Sequence, residues 1–292
     1  MRNLLIHPKT KEQLQMYLKR PSGSILITGT SGSGKGYIAS FIGHKILGLD
    51  TSEELSSYPY YFQVKRESNK KEISVDQVRE IVSFIKLKAP GKENIRRLVL
   101  IENADSMSVE AQNAILKTLE EPNSDTAFIL TATYEKSLLP TIVSRCQKIE
   151  IYPVTQDQAL NYHGSTNDKN MLIQAWKLSQ GAPGLFVALI GEWDNHPLKI
   201  AIGDAKQFIR SSTYERSLFF EKSYANKEKF LVFMEAMTRV LAALSHSLAT
   251  KDSKKTAKIV LGRRLVYESV ESLNMNTSLK LVKLHLLHNL KL

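Results

Sequence analysis

The stretch that decides the fold runs Ser24-Ile25-Leu26-Ile27-Thr28, Gly29-Thr30-Ser31-Gly32-Ser33-Gly34-Lys35, then Gly36-Tyr37-Ile38-Ala39-Ser40-Phe41-Ile42. A short apolar run, a glycine-rich loop closing on lysine and a second apolar segment predict strand, turn and helix in that order. The glycines let backbone N–H groups face inward around an anion. The helix start adds partial positive charge, and Lys35 reaches the outer phosphates. Gly29, Thr30, Ser31, Gly32, Ser33, Gly34, Lys35 and the adjoining Gly36 are therefore the candidate nucleotide-binding residues. Gly36 stands where a Ser or Thr hydroxyl would hold Mg²⁺. Binding of ATP or ADP is expected to survive this change, and metal positioning to suffer.

Outward from the loop, further apolar runs lie at Tyr61–Val64, Leu98–Ile101, Phe128–Ala132 and Gln147–Ile151. With helical segments between them they predict an α/β domain, a parallel five-stranded sheet covered on both faces. Ser74 and Gln77 form a capping box ahead of Val78, Ile81, Val82 and Ile85. Another helix is predicted from Ser108 to Glu121, with Ala111, Ile115 and Leu119 inward and Pro122 as its stop. The second nucleotide element reads Leu98-Val99-Leu100-Ile101-Glu102-Asn103-Ala104-Asp105. Glu102 takes the metal-side position, while Asn103 stands where a water-activating glutamate is expected. An amide orients water but does not accept its proton as a carboxylate does. Asp105 reads as a loop or helix-start residue.

After Tyr152-Pro153 the strand signals fade. Short helices broken by Gly164 and by Gly181-Ala182-Pro183-Gly184 are predicted over 154–192, with a loop at Asp194–Pro197. A helical block follows to the end, with apolar periodicity at Phe230, Phe233, Met234, Met237, Val240, Leu241 and Leu244 and an interhelical loop at Thr250–Lys255.

The chain has 292 residues, 42% of them apolar and 24% charged, as expected of a soluble globular protein of two or three units. No uninterrupted apolar run reaches membrane-spanning length, and Met1–His7 does not read as a signal peptide, so a cytoplasmic protein is expected. The lone Cys146 excludes an intrachain disulfide framework and a multi-cysteine zinc site. Of the net charge of +11, Asp194 onward carries 17 Lys and Arg against 9 Asp and Glu. Such a surface suits nucleic acid, an acidic partner, or merely solvent.

Ile73–Ile81, Leu98–Asp105, Glu110-Ala111-Gln112-Asn113-Ala114-Ile115-Leu116-Lys117-Thr118-Leu119-Glu120-Glu121-Pro122 and Leu139-Pro140-Thr141-Ile142-Val143-Ser144-Arg145-Cys146 together resemble the clamp-loader AAA+ family. The resemblance is strong over 20–152, weaker to about 190 and architectural beyond. It implies an AAA+ domain (1–152), a small helical lid (153–193) and an all-α collar (200–292) that holds a ring-like heteropentamer together. The implied partners are motor subunits, a delta-like subunit, a sliding clamp, and primer–template DNA through its phosphates; no membrane is implied. In the family the arginine of Ser-Arg-Cys is a finger inserted into the adjacent subunit's ATP site, a role that falls on Arg145. A structural arginine paired with a carboxylate is the alternative. A polar sensor falls at Thr133. The second sensor reads Gly-Ser-x-Arg in active members, whereas here Gly184 replaces the arginine, as in delta-prime-like members. Many relatives carry a four-cysteine zinc module that this chain lacks, so Leu49–Tyr61 must be held without metal.

The reading is thus a clamp-loader stator with little ATPase activity of its own. An active motor subunit, a P-loop small-molecule kinase and an AAA-like scaffold outside replication are its rivals.

Overall fold

Strand β1 (Ser24–Thr28) is buried along its whole length, which fixes it as an inner strand of a sheet covered on both faces. In this computed structural model, residues 4–21, 23–67, 70–91, 94–162, 169–191, 195–248 and 252–290 are described. The chain divides into two compact units, Met1–Val154 and Thr155–Leu292.

The first unit runs α1 (Pro8–Lys19), β1, α2 (Lys35–Leu47), β2 (Tyr61–Val64), α3 (Val75–Phe84), β3 (Arg97–Ile101), α4 (Val109–Glu120), β4 (Thr126–Ala132), α5 (Pro140–Arg145) and β5 (Cys146–Glu150). The five strands are parallel in the order β2-β3-β4-β1-β5, the α/β architecture expected. The strand bounds move by a residue or two from the expected ones at β3, β4 and β5, all of them at sheet edges or strand ends. The Ser74–Gln77 capping box is present, and Ser108 caps α4 through the Ala111 N–H. Val78, Ile81, Ala111, Ile115 and Leu119 pack one face of the sheet, and Leu14, Ile38, Ile42 and Leu55 the other.

Helix α1 has no counterpart in the sequence reading, although Pro8 at its start and the His7 cap mark it. Thr10 Oγ1 donates to Glu150 O at 2.7 Å and accepts from Tyr152 N at 3.0 Å, and Gln13 Oε1 accepts from Glu150 N at 2.9 Å. These bonds satisfy outward-facing backbone groups on the edge strand β5. The segment that follows α2 is held by packing and hydrogen bonds. Leu55 is buried against Gly43, His44 Nε2 lies 2.7 Å from Glu53 O, and Tyr58 donates to Arg96 O at 3.0 Å.

The second unit is helical: α6 (Gln156–Tyr162), α7 (Lys169–Ser179), α8 (Pro183–Leu189), α9 (Pro197–Arg210), α10 (Thr213–Lys222), α11 (Lys227–Leu248), α12 (Ser253–Asn274) and α13 (Leu279–Asn289). The break expected at Gly164 and the start of the Asp194–Pro197 loop lie outside the described residues. Helix α12 begins earlier than expected: Asp252 caps it through Lys255 N, so Ser253–Lys255 form its first turn rather than a loop. By length and mean hydropathy alone α11 could cross a membrane. Here it is the core helix, with Phe230, Phe233, Met234, Met237 and Leu241 fully buried. Leu178, Ala182 and Leu185, from the stretch read as a lid, lie in the same apolar core as the helices read as a collar. Arg239 ties the two by donating to Ser179 O at 2.7 Å. Arg216, also buried, donates to Phe208 O, Ile209 O and Leu290 O, so one guanidinium closes the carbonyl ends of α9 and α13.

Candidate functional site

The phosphate loop leaves the C-terminal end of β1 and enters α2 through Gly34. Gly32 and Gly34 take φ of +77° and +89°, a region that costs glycine little and other residues more. Gly29 is fixed by space: a Cβ there would stand 2.7 Å from Ser33 Oγ and 3.1 Å from Ile151 Cβ. Lys35 Nζ folds over the loop and donates to Gly29 O at 2.9 Å and Thr30 O at 3.2 Å. Ser33 N donates to Thr30 O at 3.1 Å, and the Ser33 hydroxyl is buried with no hydrogen-bond partner among the described residues. Glycines that approach closely, an ammonium at the mouth and the start of a 13-residue helix form a cradle that fits a phosphate.

Glu102 ends β3 beside this loop. A Cβ placed on Gly36 would stand 4.0 Å from Glu102 Oε1. The Glu102 carboxylate and a side chain at position 36 would therefore face each other. A divalent cation would find Glu102 there and no hydroxyl ligand from residue 36.

The residues after Glu102 serve geometry. Asn103 is exposed with φ +51°, a left-handed conformation that asparagine tolerates better than most residues. Its N–H donates to Thr131 Oγ1 at 2.9 Å. Asp105 Oδ2 accepts from Thr133 N at 3.0 Å and Tyr134 N at 2.8 Å, pinning the end of β4 where the polar sensor is expected. Asp105 thus has the loop role read from sequence. Gly184 is buried in the first turn of α8 and presents no side chain.

Arg145 is elsewhere. It ends α5 just before β5, and Cys146 pairs with Ser24 at the start of β1. The phosphate loop follows Thr28 at the other end, five residues on, or roughly 16 Å at strand rise. Arg145 therefore does not serve the phosphate loop of its own chain. Its guanidinium pairs with Glu120 of α4 and donates to Thr141 O at 2.9 Å. The carboxylate of the structural alternative is present, and the pair is partly exposed rather than buried. The sequence motif assigns Glu120 no role; its place at the end of α4, two residues before Pro122, is the available signal. Burial pushes the neighbouring Cys146 thiol up to about 12, so it stays protonated at neutral pH and is no nucleophile.

The sheet order, the phosphate loop and its facing acidic strand end define an AAA+ P-loop domain, here followed by a helical unit. Residues 6–155 match the family described as DNA polymerase III, delta subunit, and the chain belongs to that family. It is 32% identical over 152 residues to DNA polymerase III subunit delta' of Escherichia coli, covering 50% of this chain and 45% of the relative. It is 46% identical over 90 residues to the subunit delta' of Pseudomonas aeruginosa, covering 31% and 27%. Against the replication factor C small subunit of Haloarcula marismortui it is 28% identical over 153 residues, covering 52% and 44%. The matched stretches span from about a quarter to just under half of these relatives' own length. A DNA polymerase III gamma subunit-related protein from Thermotoga maritima shares the fold, with a TM-score of 0.55 at 16% identity over 96% of this chain and 97% of that one.

Proposed function

We propose that this chain is a clamp-loader subunit of the DNA polymerase III holoenzyme, a stator that donates Arg145 to a neighbouring ATPase subunit and hydrolyses little ATP itself. The observation that carries the reading is the separation of its two functional elements. The phosphate cradle sits at the C-terminal ends of the strands and Arg145 at the opposite end, so the arginine reaches a phosphate only in another chain. A guanidinium in that position stabilises charge developing on a transferred phosphoryl group.

At this chain's own loop, the Lys35 ammonium and the backbone N–H groups at the start of α2 would hold the phosphates of ATP or ADP. Gly36 supplies no metal ligand, and Asn103 takes no proton from water. Bound nucleotide here is a structural ligand. The expected setting is a cytoplasmic heteropentamer of motor subunits, a delta-like subunit and this chain, acting on a sliding clamp and touching primer–template DNA through phosphates.

Two assays test the reading. The isolated chain should bind labelled ATP with little Mg²⁺ dependence, weakened by Lys35→Ala; robust Mg²⁺-dependent hydrolysis by the chain alone would make it a motor subunit. Mixed with partner subunits, clamp and primed DNA, it should be required for loading. A complex that loads clamps equally well without it overturns the proposal.

A further inference from the structure

The helical unit holds a groove with an apolar floor and a basic rim. Two cavities of about 510 and 220 Å³ adjoin, with Ile209 and Leu244 lining both. Their floor comes from α7, α9, α11 and α12, chiefly Leu178, Ile209, Val240, Leu241, Leu244 and Ile259. Their rim is Lys177, Lys206, Arg210, Lys255 and Lys258, and among the described residues no Asp or Glu lines either cavity. Lys255 lies 3.6 Å from the Asp252 carboxylate. The other four cations have no carboxylate partner among the described residues.

We propose that this groove docks an acidic amphipathic helix of another polypeptide, its apolar residues on the Leu178–Leu244 floor and its carboxylates on the lysine and arginine rim. An apolar floor several side chains long takes anchors at i, i+3 or i+4, and i+7 of a helix. Unpartnered cations on both sides select Asp and Glu flanking those anchors and penalise Lys and Arg. A second copy of this chain is a poor occupant, because the residues from Asp194 onward carry 17 cations against 9 anions. A nucleic-acid strand uses such a rim but not such a floor, and among the described residues no aromatic ring lines the cavities for a base to stack on. A lipid surface takes a convex amphipathic face, not a concavity between helices. The excess charge from Asp194 onward therefore has a polypeptide destination at this groove, independently of the clamp-loading role.

The test is a displayed library of helical peptides about four turns long, selected against the full chain. Enriched peptides are then titrated by fluorescence anisotropy. The proposal expects enrichment of carboxylates beside an i, i+3/i+4, i+7 apolar stripe. It further expects a loss of at least ~10-fold in affinity on Lys206→Glu/Arg210→Glu, two surface charges reversed. Lys254→Glu, on the same unit but outside the groove, should leave affinity unchanged, and circular dichroism shows that both variants fold. Enriched peptides without excess acid, or equal binding to the double variant, overturn it. So does displacement of the peptide by a single-stranded oligonucleotide or by anionic vesicles, if their own binding falls on the double variant as the peptide's does.

Discussion

Replacing Arg145 by alanine separates two roles whose costs differ by several kcal/mol. As a structural residue, Arg145 contributes an ion pair with Glu120 in which the side chains are 32% and 44% exposed. Screened by water, such a pair is worth about 0–1 kcal/mol. Its bond to Thr141 O is to an exposed residue of the same helix, and that carbonyl keeps the Ser144 hydroxyl as a donor at 3.1 Å. For a unit of this size 1 kcal/mol moves the melting point by about 2–4 °C. As a finger, the same side chain is worth on the order of 10³–10⁵ in turnover at the one site it serves, or roughly 4–7 kcal/mol of barrier. Arg145→Ala should therefore melt within about 4 °C of wild type while lowering the DNA-stimulated ATPase of the reconstituted complex partially and clamp loading more. Arg145→Lys should rescue poorly, since a point charge lacks the planar fork. Glu120→Gln, which frees the guanidinium, should retain ATPase activity. A complex of Arg145→Ala with full ATPase and loading refutes the finger, and a far larger melting shift assigns the residue to the fold.

Gly36→Ser places a hydroxyl facing Glu102 across the distance seen for the Gly36 Cβ position. Nucleotide affinity should then gain up to about tenfold on adding Mg²⁺ over EDTA, without hydrolysis because Asn103 remains; an affinity indifferent to Mg²⁺ would falsify the facing geometry. Asp125→Asn removes the carboxylate from Arg97, whose side chain is 6% exposed, and should cost about 3–5 kcal/mol in urea unfolding. Burial opposes the Asp125 charge, but hydrogen bonds from Arg97, Arg96 and Thr126 outweigh it and hold the carboxyl below the usual range. The wild-type advantage over Asp125→Asn should thus be complete above about pH 4 and shrink as pH falls through the depressed folded value; an advantage that grows in acid contradicts this. Gly43→Val puts a side chain where a Cβ would already stand 2.6 Å from Leu98 Cδ2 and 3.0 Å from Leu55 Cδ1, and should destabilise by about 1–3 kcal/mol on thermal melting.

The phosphate loop, the strand runs and the two capped helices were legible because each is a local signal. Glycine spacing, an apolar run between turns, or Ser74 three residues ahead of Gln77 needs no knowledge of distant contacts. Helix α1 was not legible in that way: its apolar face is short, Leu14 and Tyr17, and it is seated by Thr10 and Gln13, polar residues whose partners lie some 140 residues later. The Arg145–Glu120 pair was hidden for the same reason, although both residues sat in quoted motifs. The opposition of Gly36 and Glu102 follows from β1 and β3 flanking β4, a sheet order that composition does not encode. In the helical half, periodicity found the core face of α11. It could not show that the stretch before Leu189 shares that core, because Arg239 and Ser179 meet only in three dimensions.

The clasp of α1 on β5 bears on how this chain meets other subunits. An uncovered edge strand is a template on which another chain can add a strand, often irreversibly. With the outward groups of Glu150 and Tyr152 taken by Thr10 and Gln13, growth of the sheet at that end of β5 is blocked. In the proposed assembly, neighbours would meet this domain through side chains such as Arg145, contacts that form and release without remaking backbone hydrogen bonds. Helix α1 would thereby act as a guard against polymerisation, keeping a surface suited to exchange from becoming one that aggregates.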